Sequence, residues 1–319
     1  MDRDKPPMRP PIVTIGISPC WDIICRVEGI SWGDHAKLAS QQCLAAGKAL
    51  NVSRALAWMG VPSVAAGLWG RDDYAMMNAS LEELRPLIGV RLTAVPGHTR
   101  RNVTLIDTRH SREMHLRAPD TLATGQSLRA LADDLARLAP GAVCVFSGSL
   151  PEDDELLESI LTIAADLRQR GARIVVDTSQ KPLKRLLQLG DIQLIKPNLA
   201  ELRQLLDAPV GDYPQEIVSA AKSISGIGTM LVSRGPQGAV VVRGKEAFSG
   251  VVCRPRPAVC TVGCGDWLLA GFLSADDQPL DLALERAVKA AAAKAWAWHE
   301  TMKWNKAAAA IEVKVTAVE

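Results

Sequence analysis

Residues 142–179, AVCVFSGSLPEDDELLESILTIAADLRQRGARIVVDTS, contain the pattern that decides the fold class. Two short β-branched runs, AVCVFSG (142–148) and ARIVVDTS (172–179), flank a longer segment whose apolar residues recur at helical spacing. Both runs are continuously apolar, as strands buried on both faces are. The stretch therefore predicts a strand–helix–strand unit, the repeating element of parallel sheets that are covered by helices.

The same alternation continues along the rest of the chain. Further strands are expected at residues 11–18, 63–68, 192–198 and 229–235, and further helices at residues 48–60, 127–139 and 214–224. This pattern predicts an α/β fold with a mostly parallel central sheet and helices on both faces. Residues 24–45 and 99–118 show strand-like alternation instead, and they predict a small antiparallel sheet placed as a lid over the strand ends. Because no low-complexity linker interrupts the chain, residues 1–319 are expected to form one domain with this lid inside it.

The composition excludes several classes of partner. The net charge is +2 and aromatic residues make up 4% of the chain, without a basic cluster, so nucleic acid is not an expected partner. No run approaches the roughly 18 apolar residues of a membrane span, and the polar residues before Ile12 do not resemble a signal peptide. Seven cysteines without a C-x-x-C pair are expected to be free thiols in a reducing compartment. A cytoplasmic protein without membrane contact is the resulting expectation.

Residues 261–271, TVGCGDWLLAG, combine small residues with a carboxylate at the start of an expected helix, 266–275. The small residues at 263–265 let backbone N–H groups point into one space, which makes a helix N-terminus an anion site. Asp266 could then accept a proton from a nucleophile beside that anion. The ordinary alternative is that Asp266 only caps the helix, and these residues taken alone favour the cap.

The segment KPNLAEL (196–202) ends a strand and opens a helix. Asn198 is a natural N-cap residue, and Glu201 stands at the position of its capping-box partner. Alternatively, the two side chains orient a hydrated Mg²⁺ beside nucleotide phosphates, since Mg²⁺ keeps several waters and takes few protein ligands. The motif alone is compatible with both roles, capping of the helix and orientation of Mg²⁺.

Three further segments are equally ambiguous when taken singly. SRGPQGAVVV (233–242) predicts a plain hairpin, and FSGSLPED (146–153) predicts a turn that caps a helix. AGKALNVSRALAWMG (46–60) predicts an amphipathic helix, in which Lys48 could reach a phosphate and Asn51 could bond to hydroxyl groups. The order and the spacing of these motifs are far more specific than any one of them.

In their order, the motifs resemble the PfkB family of carbohydrate kinases, which share the ribokinase-like fold, from about residue 12 to about residue 300. The segments that carry the resemblance are SPCWD (18–22), AGKALNVS (46–53), GLWGRDD (67–73), TRRNV (99–103), SGSLP (147–151), KPNLAEL (196–202), VSRGPQG (232–238) and VGCGD (262–266). They look closest to the branch of 1-phosphofructokinase and tagatose-6-phosphate kinase.

The resemblance implies a role for each matched position. Asp266 would be the general base for a sugar hydroxyl, and Gly263, Cys264 and Gly265 would form the anion hole for the transferring phosphoryl group. The residues implied to hold the sugar are Asp22, Gly47, Lys48 and Asn51, and those implied to grip its existing phosphate are Arg100, Lys37 and Ser149. The residues implied to bind the nucleotide are Asn198, Glu201, Ser233, Gly235 and Gly238, with Asn198 and Glu201 holding Mg²⁺ through water.

The implied activity is ATP- and Mg²⁺-dependent phosphorylation of a sugar phosphate, foremost fructose 1-phosphate to fructose 1,6-bisphosphate, by a homodimer that associates through the lid. Tagatose 6-phosphate and fructose 6-phosphate are alternative acceptors. A third alternative is a relative that binds sugar phosphate or nucleotide without turnover. Departures from the family pattern at His115, Arg117, Trp267, Trp296 and Trp298 motivate it.

Overall fold

A computed structural model describes residues 10–33, 35–138 and 140–319 of the chain. The strands, in chain order, are β1 (Ile12–Gly16), β2 (Cys20–Val27), β3 (Leu38–Ala46), β4 (Ser63–Gly70), β5 (Ile88–Val95), β6 (Arg101–Asp107), β7 (Arg112–Leu116), β8 (Val143–Ser147), β9 (Arg173–Asp177), β10 (Ile192–Ile195), β11 (Ile227–Ser233), β12 (Ala239–Arg243), β13 (Glu246–Val252) and β14 (Val313–Ala317). The α-helices are α1 (Lys48–Trp58), α2 (Tyr74–Ser80), α3 (Gly125–Leu135), α4 (Asp154–Gln169), α5 (Gln180–Leu187), α6 (Leu199–Leu206), α7 (Pro214–Lys222), α8 (Cys264–Leu273), α9 (Leu280–Ala295) and α10 (Trp304–Ala310).

The larger sheet is parallel over most of its width. Its ten strands follow the order β14-β13-β12-β11-β10-β9-β8-β1-β4-β5. All neighbours from β11 to β5 run parallel, whereas β12, β13 and β14 extend the sheet in antiparallel fashion. The carboxyl ends of the parallel strands therefore meet at one edge, which is where open α/β sheets bind ligands. The expected mostly parallel sheet is confirmed.

Helices cover both faces of this sheet, as the continuously apolar strands predict. Successive side chains of a strand point to opposite faces, so Val13 and Ile15 join a core with α3, α4 and α5. Their neighbour Ile12 joins a second core with α1, α8 and α9. Both cores are predominantly apolar, and burial of such layers is the main favourable contribution to folding.

The smaller sheet has the order β3-β2-β6-β7 and is called the lid below. It corresponds to the predicted segments 24–45 and 99–118, but the prediction of a wholly antiparallel sheet is wrong, because β2 and β6 pair in parallel. The two strands follow β1 and β5, which are parallel, so both leave the same edge of the large sheet in the same direction. β2 already begins at Cys20, which makes Asp22 a lid residue.

Capping decides where several helices begin. α8 starts at Cys264, two residues before the predicted position, because Gly263 is its N-cap with φ +80°. α3 starts at Gly125, since the Thr124 hydroxyl accepts a hydrogen bond from the Ser127 N–H at 3.1 Å. Its last predicted residue, 139, lies outside the described residues. Residue 34 of the first lid segment and residues 1–9, on which the signal-peptide prediction depends, lie outside them as well.

Two global expectations concern membranes and thiols. In the described part of the chain, none of the helices combines the length and the apolar character that crossing a bilayer requires.

All seven cysteines are free, as expected. Cys144 is buried within β8, and this burial raises the pKa of its thiol to about 11.

Candidate active site

A cleft of about 440 Å³ opens between the carboxyl-end edge of the large sheet and the lid. Residues that follow β1, β8 and β10 form one side, and residues of β2, β6 and β7 form the other. The starts of α1 and α8 lie at the same place. The predicted site residues that line the cleft are Asp22, Gly47, Lys48, Asn51, Arg100, Ser149, Asn198, Glu201, Ser233, Gly263, Gly265 and Asp266.

Four predicted site residues lie outside this cleft: Lys37, Gly235, Gly238 and Cys264. Lys37 is exposed and precedes the end of β3 that pairs with Val27, whereas the opposite end of β3 leads to the cleft. Gly235 and Gly238 form the turn of the β11–β12 hairpin. Gly238 has φ +84°, and a Cβ atom there would lie 1.9 Å from the Gly250 carbonyl oxygen. The hairpin expected at 233–242 is therefore confirmed, and its turn requires glycine at 238 for backbone reasons alone.

Asp266 lies in the first turn of α8, but it does not cap the helix. The N-cap residue is Gly263, and no side chain provides a capping hydrogen bond. Instead, Asp266 Oδ2 accepts a hydrogen bond of 2.9 Å from Asn51 Nδ2 of α1. The capping interpretation is wrong, because the carboxylate points to α1 and the cleft rather than back to the N–H groups of its own helix.

Burial dominates the electrostatics of Asp266, which is only 4% exposed. Burial, followed by the negative charge of Asp177, raises the pKa of Asp266 to about 7. Lys48, the Asn51 hydrogen bond and Lys196 act in the opposite direction. A carboxyl group with this pKa can both take up and hold a proton near neutral pH, which is the property of a general base.

A buried ion pair joins Asp177 to Lys196, which lines the cleft, and neither residue was among the predicted site residues. Lys196 Nζ lies 3.1 Å and Lys48 Nζ lies 3.7 Å from Asp177 Oδ1, and the Ser147 hydroxyl donates to Oδ2 at 3.1 Å. Burial acts to raise the pKa of Asp177, but the two ammonium groups outweigh it and lower that pKa. The same pairing raises the pKa of Lys48.

A signal for this pair was present in the sequence. Asp177 ends β9 and Lys196 follows β10, which pairs with β9 in parallel. Polar residues at the ends of two buried parallel strands meet at the same edge of a sheet. The segments ARIVVDTS (172–179) and KPNLAEL (196–202) contain these two residues. Neither segment, however, indicates that its strand pairs with the other.

The backbone at the start of α8 offers hydrogen-bond donors to an anion. The Cys264 N–H donates to the Thr261 carbonyl oxygen at 3.3 Å. The N–H groups of Gly265 and Asp266 donate to no partner within residues 10–33, 35–138 and 140–319. Lys196 Nζ would lie 3.2 Å from a Cβ atom at Gly265, so the absence of a side chain at 265 leaves room for the ammonium group.

Cys264 contributes less to this anion site than the resemblance implies. Its N–H group is used by Thr261, and its thiol faces the Cys260 carbonyl oxygen at 3.7 Å. Burial raises the pKa of the thiol to about 12, so the sulfur stays protonated and uncharged at neutral pH. The free donors belong to residues 265 and 266.

Asn198 and Glu201 form the capping box that the sequence predicts, and both also line the cleft. Asn198 Oδ1 accepts from the Glu201 N–H at 2.8 Å, and Glu201 Oε2 accepts from the Asn198 N–H at 2.9 Å. The other carboxylate oxygen, Oε1, accepts no hydrogen bond from the described residues. Capping and ligand contact are therefore compatible, because the cap uses only part of each side chain.

The basic side chains at the lid end of the cleft differ in how they are held. Arg100 donates at 3.2 Å to the carbonyl oxygens of Ser18, Pro19 and Ala118. These bonds use three of the five N–H donors of a guanidinium group, which orients the remaining two. Arg117 lines the same cleft and is exposed, without an ion pair among the residues that the structure describes.

His115 and the three tryptophans are further positions at which the chain departs from the family pattern. His115 lines the cleft, and its Nδ1 lies 3.2 Å from the Thr104 hydroxyl. The tryptophans lie outside the cleft. Trp267 is buried in the core of α1, α8 and α9, while Trp296 and Trp298 pack against each other at 5.0 Å.

Gly47 is the only residue between β3 of the lid and α1. It has φ +114°, and a Cβ atom at this position would lie 3.2 Å from the Pro19 Cα atom. A glycine is required here because the chain turns in a left-handed conformation against the segment that leads into the lid.

The family model for pfkB family carbohydrate kinases matches residues 10–297. The chain belongs to the pfkB family of carbohydrate kinases. Two proteins similar to this chain are 1-phosphofructokinases. That of Rhodobacter capsulatus is 32% identical over 279 residues, covering 85% of each chain. That of Borreliella burgdorferi is 32% identical over 238 residues, covering 73% of this chain and 74% of the relative.

The crystal structure of phosphofructokinase-2 from Escherichia coli in complex with fructose-6-phosphate resembles this pfkB-family chain with a TM-score of 0.84. The identity is 23%, and the match covers 95% of this chain and 98% of the other. At this identity the likeness concerns the fold. The expected ribokinase-like α/β fold is confirmed.

Proposed function

We propose that the protein transfers the γ-phosphoryl group of ATP to a fructose phosphate, with fructose 1-phosphate as the preferred acceptor and fructose 1,6-bisphosphate as the product. The observation that carries this proposal is the buried Asp266, whose pKa is raised to about 7 beside free N–H groups at the start of α8. Its position in a cleft lined by basic side chains suits the transfer of a phosphoryl group to an acceptor that is already charged. Two relatives named 1-phosphofructokinase support the choice of acceptor.

In the proposed reaction, Asp266 accepts the proton of the acceptor hydroxyl as that oxygen attacks the γ-phosphorus and the bond to ADP breaks. The N–H groups of Gly265 and Asp266, with Lys196 beside them, stabilise the negative charge of the transferring group. Asn51 orients the carboxylate through its hydrogen bond. Phosphoryl transfer needs mainly such positioning and charge stabilisation.

The sugar end of the substrate is assigned to the lid side of the cleft. Asp22, Gly47 and Lys48 would contact the sugar. Arg100 would hold the existing phosphate with the two N–H donors that its backbone contacts leave free, aided by Ser149. Arg117 adds an exposed positive charge at the same place. Lys37 is not assigned to the phosphate of the same chain in this proposal, because the neighbouring end of β3 pairs with Val27, away from the cleft.

Mg²⁺ is proposed to accompany ATP on the opposite side of the cleft. Within the described residues, no group of three or more His, Cys, Asp or Glu side chains is arranged to hold a metal ion. A site with few protein ligands fits Mg²⁺, which retains several waters and needs one or two carboxylates. Glu201, with its free carboxylate oxygen, and Asn198 would hold the ion through water. When bound, the ion would neutralise phosphate charge. Ser233 lies beside Asn198 and would border the nucleotide.

We further propose that residues 1–319 act as one cytoplasmic domain that dimerises through the lid. The support lies in exposed apolar side chains of the lid: Trp32 is 93% exposed, and Leu38 and Met114 are about 40% exposed. Residues 38–43 of β3 are exposed throughout, so neither face of this strand is covered by its own chain over that length. Apolar surface of this kind is typical of an interface.

The deciding experiment measures ADP release with ATP, Mg²⁺ and one acceptor at a time: fructose 1-phosphate, fructose 6-phosphate, tagatose 6-phosphate or fructose. We expect the highest kcat/KM with fructose 1-phosphate, and ³¹P NMR should identify the product as a bisphosphate. A higher kcat/KM with fructose 6-phosphate or tagatose 6-phosphate would overturn the choice of acceptor. An absence of turnover with all acceptors, while ATP and sugar phosphates still raise Tm, would show a binding protein instead of an enzyme.

A further inference from the structure

Lys294, in the last turn of α9, has no carboxylate within ion-pair distance among the described residues, although Glu300 Oε1 lies 3.8 Å from His299 Nε2. Its Nζ atom lies 3.2 Å from His299 Nε2 and 6.0 Å from the centre of the Trp267 ring. It forms no salt bridge with the residues that the structure describes. Lys289, on the same helix, differs because its Nζ atom pairs with Glu285 at 2.7 Å. Partial burial of an ammonium group is costly, and at Lys294 a single hydrogen bond to a neutral ring offsets only part of that cost.

The side chain of Lys294 lies against the loop that precedes α8. A Cβ atom at Gly263 would be 3.5 Å from Lys294 Cε and 3.7 Å from Asp266 Oδ2. The lysine and the catalytic carboxylate therefore approach the same glycine. The charge of Lys294 also acts at Cys264, where it opposes the effect of burial on the thiol pKa. The loop thus has the cleft on one side and this cation close by, although Lys294 itself does not line the cleft.

His299 holds the ammonium group without neutralising it. Burial, and then the charge of Lys294, lower the pKa of His299 to about 4, so the imidazole is neutral at physiological pH. Its Nε2 atom can then only accept the hydrogen bond from Lys294, which places the ring proton on Nδ1. Nδ1 is buried and has no hydrogen-bond partner among the described residues. A carboxylate in place of His299 would cancel the positive charge, whereas a neutral imidazole preserves it.

Trp267 shields this arrangement. Its ring packs at 5.0 Å from Trp58 and at 4.7 Å from His299, and it is 5% exposed. Apolar rings around a charge lower the local dielectric constant, which strengthens the field of that charge at short range. This gives a physical reason for a large side chain directly after the carboxylate of Asp266.

We propose that Lys294 is a positioning residue for phosphoryl transfer: its ammonium group, held by His299 and shielded by Trp267, makes the loop at Gly263–Asp266 more attractive to the transferring phosphoryl group. This inference rests on the proposed kinase function. Lys294 acts through the loop and not by direct contact. Because the transferring phosphoryl group reaches this loop only as it leaves ATP, the effect falls on kcat rather than on KM, whereas inorganic phosphate can occupy the loop directly.

The test compares Lys294→Met with Lys294→Arg, using ATP and fructose 1-phosphate. Lys294→Met should lower kcat by roughly 10- to 50-fold, as expected for a unit charge several ångströms away at an effective dielectric constant near 20, with KM for both substrates within about threefold. Lys294→Arg, which keeps the charge, should recover most of the rate. Lys289→Met is the matched control and should leave kcat unchanged, because Lys289 is paired with Glu285.

A binding measurement separates this inference from the proposed function. Inorganic phosphate should raise Tm of the wild-type protein and of Lys289→Met more than that of Lys294→Met, and this comparison needs no turnover. If wild type fails with all acceptors, the kinase proposal fails, and phosphate binding alone then decides the role of Lys294. Equal phosphate effects in wild type and Lys294→Met would overturn that role, as would an unchanged kcat in the folded variant. Loss of rate in Lys294→Arg equal to that in Lys294→Met would also overturn it, since packing rather than charge would then be responsible.

Discussion

Asn51 Nδ2 donates a hydrogen bond of 2.9 Å to Asp266 Oδ2 and so joins α1 to the first turn of α8. The two residues are 215 positions apart in the chain. The bond fixes the orientation of a carboxylate that burial otherwise drives towards its protonated form. Asn51 therefore supports the ionised state that proton abstraction requires, and it does so from the helix that directly follows the lid.

Asp266→Asn should lower kcat by about 10²- to 10⁴-fold, the usual contribution of a general base. The amide has the same shape as the carboxyl group but cannot accept the proton. Steady-state kinetics with ATP and fructose 1-phosphate measure the loss. A near-normal rate in a folded variant would exclude Asp266 as the base.

The same substitution should change stability in a pH-dependent way. The pKa of Asp266 is raised to about 7 in the folded chain, above the roughly 3.9 of an unfolded aspartate, so ionisation costs stability as pH rises through this window. Asp266→Asn removes that cost and should stabilise the protein at pH 8 relative to wild type by up to about 4 kcal/mol, and less at pH 5. Urea unfolding at both pH values provides the measurement. An equal difference at the two pH values would contradict the raised pKa.

The pH dependence of kcat/KM should show an acidic limb near pH 7, with activity rising as Asp266 loses its proton. Asn51→Leu should move this limb to higher pH, because the hydrogen bond from Asn51 lowers the pKa of the carboxyl group. Asp177→Asn should move it to lower pH, because the charge of Asp177 raises that pKa. A limb that stays in place in both variants would assign it to another group.

Asp177→Asn should also destabilise the fold by about 3–5 kcal/mol, the typical cost of breaking a buried ion pair, because Lys48 and Lys196 lose their shared carboxylate. Urea unfolding at pH 7 measures the change. The control is Asp154→Asn, which removes an exposed partner of Lys181 at 2.9 Å and of Arg185 at 3.5 Å and should have a much smaller effect. Similar unfolding midpoints for the two variants would show that the buried cluster contributes little to stability.

Trp32→Ser should weaken the proposed dimer, because it removes the most exposed large apolar side chain of the lid. Light scattering coupled to gel filtration should give a dimer mass for wild type and a concentration-dependent shift towards the monomer for the variant. Tyr213→Ser, which removes another exposed aromatic ring far from the lid in sequence, is the control. A monomeric wild type, or unchanged dimerisation of Trp32→Ser, would exclude this interface.

The fold could be predicted from sequence because its information is local. Runs such as RIVV in β9 are typical of buried strands, and the helical periodicity between them leaves few topologies open. Local sequence did not predict the features that depend on which distant strands pair with each other. The parallel pairing of β2 with β6 and the approach of Lys196 to Asp177 both depend on which strands are neighbours.

For the site residues, too, local sequence identified some positions and could not identify others. Asp266, Asn198 and Glu201 were recognisable because helix starts and motif order mark them, although only the structure shows that Asp266 is not a cap. Gly238 was assigned to the nucleotide on resemblance, whereas its backbone conformation alone accounts for it. Lys37 was assigned to the substrate phosphate on resemblance, but its distance from the cleft depends on the register of β3 against β2.

The single-residue junction at Gly47 has a consequence for the catalytic cycle. A movement of the lid relative to the large sheet would have to pass through Gly47, because β3 continues into Lys48 through this one glycine. A rotation at this glycine would move Lys48 relative to Asp177, the carboxylate it shares with Lys196. Release of the product would then be coupled to the position of Lys48 beside Asp177. A substitution that stiffens residue 47 should therefore slow turnover even where the chemical step is intact.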